Sequence, residues 1–259
     1  MCQDGVSIVI PNWNHEVFLS RSISSALRAI EALDRRGVPA EVIVVDDQSR
    51  DGSTVLLRQL EALYHGCGLR ILSLAKNQGL AAARNHGLSE ASHRYIVYLD
   101  ADNELIPENV LLLHRALRQT GAAAVFGNLL MRQMNAPAAW VISNLSFQPA
   151  IFNGNYIDAF AMVDRIQIID VGLYDASCVA HEDYELWLHL ASCGRKIVFV
   201  PVVFGYYYIN ANSMISRENA EQNHGAHRRI KRIFDQVGAR ASLPLETNCL
   251  RYHPDLGYL

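Results

Sequence analysis

Three polar segments each follow a short apolar run: Pro11-Asn12-Trp13-Asn14 after residues 6–10, Asp46-Asp47 after 41–45, and Asp100-Ala101-Asp102 after 95–99. Asp100 and Asp102, two residues apart in a turn, can both reach one side of a hard divalent cation such as Mg²⁺ or Mn²⁺. Such an ion keeps several waters and completes its shell with substrate phosphates, so the ligand expected beside it is a nucleoside diphosphate. The same two residues can instead form Asx turns. Trp13 offers an aromatic face for a nucleobase or a cover for the core, and Asp47 either accepts a base N–H or shapes its turn. Arg84, on a helix entered through Lys76-Asn77-Gln78-Gly79, has two roles open to it: meeting a diphosphate, or locking Asp100 or Asp102 in a bidentate pair. In His181-Glu182-Asp183-Tyr184-Glu185-Leu186-Trp187-Leu188, helical spacing places Asp183 with Leu186, Trp187 and Leu190, hence inward, and Glu185 with Glu182 and His189. An acid there either answers the helix dipole or acts as a general base in a cleft.

The elements that must carry these groups alternate. Val- and Ile-rich runs at 6–10, 41–45, 69–74, 95–99 and 122–126 are separated by helical periodicity up to Gly37 and over 54–64, 79–91 and 107–120, the pattern of parallel strands joined by crossover helices. Pro11 is expected to end the first strand. Ligands of an open parallel sheet bind beyond the carboxyl ends of its strands, where all three polar segments fall. Four carboxylates at one edge repel one another and require a partner. From 127 to 180 the pattern loosens around Gly127, Pro137, Pro149 and Gly154, with strand-like pieces at 139–141 and 159–163. It recovers in a helix over 182–192, strands at 197–200 and 203–209, and a terminal helix over 217–234.

Composition narrows the classes further. With 50% hydrophobic and 19% charged residues and a net charge of -3, the 259-residue chain can bury a core, and its charge gives no global reason to expect nucleic acid as the partner. No apolar run is long enough to span a membrane and no signal peptide opens the chain, so a cytoplasmic protein is expected. The five cysteines are scattered and read as reduced thiols. Walker A, G-x-S-x-G and dinucleotide fingerprints are missing from the sequence, which removes the commonest ATPase, hydrolase and dehydrogenase readings. Arg217, Arg228, Arg229, Lys231 and Arg232 make the terminal helix basic, either a solvated face or a peripheral contact with anionic lipid or a phosphate-bearing acceptor.

In order along the chain, Val6-Ser7-Ile8-Val9-Ile10-Pro11-Asn12-Trp13-Asn14, Val44-Val45-Asp46-Asp47-Gln48-Ser49, Asn77-Gln78-Gly79, Ala83-Arg84-Asn85, Leu99-Asp100-Ala101-Asp102, Gly172-Leu173-Tyr174-Asp175 and Glu182-Asp183-Tyr184-Glu185-Leu186-Trp187 resemble the family 2 glycosyltransferases. The resemblance implies a single GT-A (Rossmann-like) α/β domain over 1–215, with a central, mostly parallel sheet flanked by helices. Its nucleotide-binding half would be 1–103 and its variable acceptor-binding half 104–215, followed by a C-terminal helical extension over 216–259. It implies a nucleotide sugar, UDP-linked above others, gripped by Pro11, Trp13, Asn14, Asp46, Asp47, Asn77, Gly79, Arg84, Asp100 and Ala101. Mg²⁺ or Mn²⁺ would be held by Asp102 and Asp100, with Asp183 as the catalytic base of an inverting transfer to a glycan, lipid-linked or protein-linked hydroxyl. Polysaccharide synthesis is the expected setting. Two other classes stay open, an inactive nucleotide-sugar-binding scaffold and a nucleotidyltransferase. Tyr208 and Asn210 stand where many relatives carry an Arg and a His, which puts part of the metal shell in question.

Overall fold

The computed structural model describes residues 3–133, 139–147, 151, 155–178, 181–209, 252–253 and 257–258. Its centre is β1 (Gln3–Asn12), flanked in parallel by β2 (Ala40–Asp46) and β4 (His93–Tyr98), with β3 (Leu69–Ser73) parallel to β2. Crossover helices α1 (Glu16–Asp34), α2 (Ser53–Leu63) and α3 (Leu80–Glu90) join these strands. β1 side chains alternate between two cores. Val6, Ile8 and Ile10 meet Leu19, Ile23 and Leu33 of α1, whereas Val9 meets Ala83 and Leu88 of α3 on the other face.

Beyond β4 the sheet takes in antiparallel pairs. β8 (Met162–Asp164) runs antiparallel to β4, and β6 (Ala124–Gln133) antiparallel to β8. β9 (Ile197–Ile209) is parallel to β6, while β5 (Glu104–Leu105) and β7 (Ala139–Ile142) pair antiparallel with β9 and β6. The expected mostly parallel sheet thus describes the first half, and the second half is mixed. α4 (Pro107–Thr120) begins at its proline and packs with α1, while α5 (Arg165–Asp170) and α6 (Glu182–Ser192) lie on the α3 face.

Two expectations change. The strand pieces at 197–200 and 203–209 form one strand, whose register against β6 shifts beside Gly127 and Asn128, so the break in pattern is a bulge and not a turn. Pro11 does not end β1, which runs to Asn12. Val9 O accepts from Leu99 N and Asn12 O from Asp47 N, so Pro11 faces the β4 side just where β4 has ended, and its missing N–H breaks no ladder. Of the proposed C-terminal helical extension, the predicted helix over 217–234 lies outside the described residues. The described residues there form a small hairpin of β10 (Tyr252–His253) and β11 (Gly257–Tyr258).

Candidate active site

The carboxyl ends of β1 and β2 are stitched by their own side chains. Asp46 is buried and accepts from Asn12 Nδ2 at 2.8 Å and Ser49 Oγ at 2.5 Å. Asn14, with φ 59°, accepts from Arg50 N at 2.7 Å and donates its own N–H to Ser49 Oγ. Asp47, equally buried, accepts from Gln78 N and Gly79 N, both at 2.7 Å. Gly79 has φ 88°, a conformation glycine adopts without steric cost, and it opens α3 from there. Asn77 closes the same loop by donating Nδ2 to Asp47 O at 3.0 Å. The four carboxylates therefore do not converge unpartnered: Asp46 and Asp47 have donors, mostly from neighbouring segments, and each Asp47 oxygen keeps a second lone pair for a ligand. Trp13 stands 49% exposed at the rim beside the buried Pro11, its face open.

Asp100 and Asp102 are half-buried at the end of β4, with Ala101 buried between them so that it offers only its backbone. Arg84 chooses between its two open roles. Its guanidinium is buried, with Nη2 on Asp100 Oδ1 at 2.8 Å and Nη1 on Glu182 Oε1 at 2.5 Å. Of the two roles left open for Arg84, the structure shows the lock on Asp100, since burial and two ion pairs occupy the terminal nitrogens. The Asp102 carbonyl accepts from Arg21 Nη2 at 2.6 Å, and Arg21 stacks 3.7 Å over the Tyr208 ring. Tyr208 donates its hydroxyl to Glu104 at 3.0 Å, so the residue at the position of the relatives' Arg braces the loop through Arg21. Asn210 lies outside the described residues.

Helix α6 is buried nearly all round, which overturns the expected two-faced helix: Glu182, Glu185 and Leu188 are buried along with Leu186, Trp187 and Leu190. Asp183 is only half-buried, less so than either glutamate, and its Oδ2 accepts from Asn155 Nδ2 at 3.0 Å. The carboxylate sealed by arginine is its neighbour, Glu182. Burial, with the Glu182 charge second, raises the Asp183 carboxyl to about 7 against the pull of Arg84 and its hydrogen bonds. Asp158, which sequence reading passed over, is held up at about 8 by burial and by the charges of Asp100 and Asp183. Its Oδ1 accepts from Phe160 N at 2.8 Å. Tyr207 is raised as well, first by burial and then by Asp158, Asp100, Asp102 and Asp183 together. One phenol within electrostatic reach of all four carboxylates puts them in one neighbourhood.

Glu185 also rises to about 7, by burial alone, so a raised carboxyl by itself does not mark the base. The pocket residues missed in the sequence are Asn155, Asp158, Glu182 and Tyr207. Asn155 and Asp158 come from the irregular 127–180 stretch, where no periodicity singles out a side chain, and Tyr207 is one of three successive tyrosines. Glu182 carried a signal, since it precedes Asp183 in the acidic first turn of α6.

The chain matches the family model described as "Glycosyl transferase family 2" over residues 7–176. It is 26% identical over 234 residues, 88% of this chain and 89% of the relative, to the putative teichuronic acid biosynthesis glycosyltransferase TuaG of Bacillus subtilis. It is likewise 26% identical over 243 residues, covering 93% and 88% of the two chains, to the UDP-Glc:alpha-D-GlcNAc-diphosphoundecaprenol beta-1,3-glucosyltransferase WfgD of Escherichia coli. Among solved structures, S. aureus TarS 1-349 in complex with UDP-GlcNAc superposes with a TM-score of 0.69 at 15% identity, over 90% of this chain and 66% of that one. The likeness to TarS establishes the GT-A fold, with this chain spanning about two thirds of the TarS chain.

Proposed function

The chain belongs to glycosyl transferase family 2, and we propose from that premise that it transfers a sugar from a UDP-linked donor to an acceptor hydroxyl with inversion at the anomeric carbon. The observation that carries the proposal is the Arg84 fork, which holds Asp100 on one side and Glu182, the residue before Asp183, on the other, so that the two acidic segments meet, with the Asp183 carboxyl near 7. A base of that strength is half-ionised at neutral pH and suited to taking a proton from a hydroxyl. Asp183 accepts the acceptor's proton as its oxygen attacks, and Asn155 holds the carboxylate on the pocket side. A single displacement inverts the configuration.

Asp102 and the Asp100 oxygen not engaged by Arg84 are the groups that would hold Mg²⁺ or Mn²⁺. Among the described residues no three His, Cys, Asp or Glu side chains converge on one point, so the donor set suits a hard cation that fills its shell with water and phosphate oxygens. When bound, the ion supplies positive charge for the departing diphosphate. Asp47 accepts the base N–H through its free lone pairs, Trp13 stacks on the base, and Pro11, Asn14, Asp46, Asn77, Gly79 and Ala101 shape the loops that receive the nucleotide. Relatives named for teichuronic acid synthesis and for an undecaprenol-linked acceptor support a polysaccharide or lipid-linked acceptor. No described helix is long and apolar enough to cross a membrane, and the basic segment proposed for a peripheral contact lies outside the described residues.

Separate Asp183→Asn and Asp102→Ala variants test the reading, with UDP-glucose and UDP-GlcNAc as donors and UDP binding measured with and without Mn²⁺. Asp183→Asn is expected to keep UDP binding and lose transfer; Asp102→Ala is expected to lose the Mn²⁺-dependent part of binding. Full transfer by either variant defeats the assignment.

A further inference from the structure

Arg84 comes from one half of the chain and Glu182 from the other, 98 residues apart, yet they meet inside the molecule. Arg84 lies one turn before Gly87, where a Cβ would stand 2.4 Å from Val9 Cγ1, so α3 approaches β1 closely enough to bring the guanidinium beneath the strand ends. There it is buried, flanked by the Tyr174 ring 5.5 Å away, and forked between Asp100 and Glu182. Tyr184 and Trp187 tie α6 to its own half, donating to Ile151 O at 2.7 Å and Ile157 O at 3.0 Å. His181, at the helix start, has φ 59° and supplies no side-chain cap.

We infer that Arg84 and Glu182 are positioning residues: a strut that fixes the first turn of α6, and with it Asp183, at a set separation from the Asp100–Asp102 loop. The inference rests on the proposed role of Asp183. Stability alone gives a poor account of this contact, since a buried ion pair is often replaceable by apolar groups of the same volume at no loss. What a guanidinium fork adds is direction, two donors in one plane at fixed spacing, which a lysine's single ammonium does not reproduce. Because Glu182 is the residue before the base, a shift of its carboxylate moves the Asp183 backbone directly, and displacement of a reacting group by an ångström costs on the order of 100-fold in rate.

The test uses the full chain with Glu182→Gln, Arg84→Lys and the double variant. Turnover of UDP-glucose and UDP-GlcNAc is followed from pH 5 to 9, alongside UDP binding and amide hydrogen exchange of the α6 first turn. The strut predicts that either single change lowers kcat about 100-fold with donor KM within about threefold. The double variant should then be little worse than the poorer single one. Exchange of the Tyr184 and Glu185 amides should rise while the Gln78 and Gly79 amides stay protected. Asp183 is faced by Glu182, Arg84, Asn155, Asp158, Tyr174 and Tyr207, and of these Glu182→Gln removes the nearest negative charge, so the acid limb should move to lower pH; loss of packing alone would leave the limb in place. Donor KM rising with kcat unchanged, or unchanged α6 exchange in both single variants, overturns the inference. If the wild type neither binds UDP nor turns over these donors, the donor assignment fails instead, and exchange alone decides the strut.

Discussion

Acids stand at opposite ends of the same sheet, and their surroundings are built in opposite ways. At the amino end of β2, Glu41 accepts from Ser7 Oγ at 2.8 Å, Ser92 N at 2.6 Å and Arg70 Nη1 at 3.0 Å. Burial pushes its carboxyl up, but those hydrogen bonds outweigh burial and the net shift is downward. At the carboxyl end, about 16 Å away along the strand, Asp183 has Asn155 and the Tyr184 amide and Asp158 has the Phe160 amide, fewer donors than Glu41, and both carboxyls rise. Burial is common to both ends, so what separates them is donor supply. A carboxylate given every donor it needs serves the fold, and one left short of donors retains its affinity for a proton.

This contrast is broken or sharpened by substitution. The largest expected effect is on rate: Asp183→Asn lowers kcat by about 1,000-fold or more, the scale of a general base. The same change should raise Tm, because a carboxyl whose folded pKa is raised costs stability once pH exceeds its unfolded value; calorimetry at pH 8 reads that sign. Glu41→Gln should do the reverse, costing about 2 to 4 kcal/mol in denaturant unfolding by leaving Arg70 and the Ser92 amide badly paired, with kcat per folded molecule intact. Since the Glu41 pKa is depressed, its contribution is present above its ordinary value near 4.5 and is lost as pH falls through the folded value. In the wild type, kcat/KM should climb as pH rises through about 7, when Asp183 sheds its proton. The smallest change is expected for Asp158→Asn, which mimics the protonated acid that prevails below about 8, and transfer at pH 7 should then stay within about fivefold of wild type.

How much of this was legible in the sequence differs between the same two halves. Alternating apolar runs and helical periods placed β1 to β4 and α1 to α4 within a few residues, because β1, β2 and β4 are buried on both faces and each helix on one. The polar turns after β1, β2 and β4 were visible for the same reason, as interruptions of strong patterns. What those turns bind to was not: Asp46 and Asp47 turn inward to donors from neighbouring loops, contacts between segments about 30 residues apart. Asp158 could not be found, since its stretch has no period and its place depends on β8 running antiparallel to β4. For Asp183, helical spacing alone misread which acids of α6 are buried, because the helix is covered on nearly every face. The resemblance named Asp183 for the base, and the geometry separates it from Glu182, which Arg84 occupies.

The central claim is that Asp183 and the Asp100–Asp102 loop share one pocket while Glu41 does not. Carboxyl-carbon NMR of the protein labelled at Asp and Glu, recorded as Mn²⁺ and UDP are added, tests it most directly, with Asp183→Asn and Glu41→Gln assigning the signals. Paramagnetic broadening of Asp183 and Asp158 together, with Glu41 still sharp, is the predicted result. A sharp Asp183 signal at saturating Mn²⁺ and UDP, or equal broadening at both ends of the sheet, would contradict it.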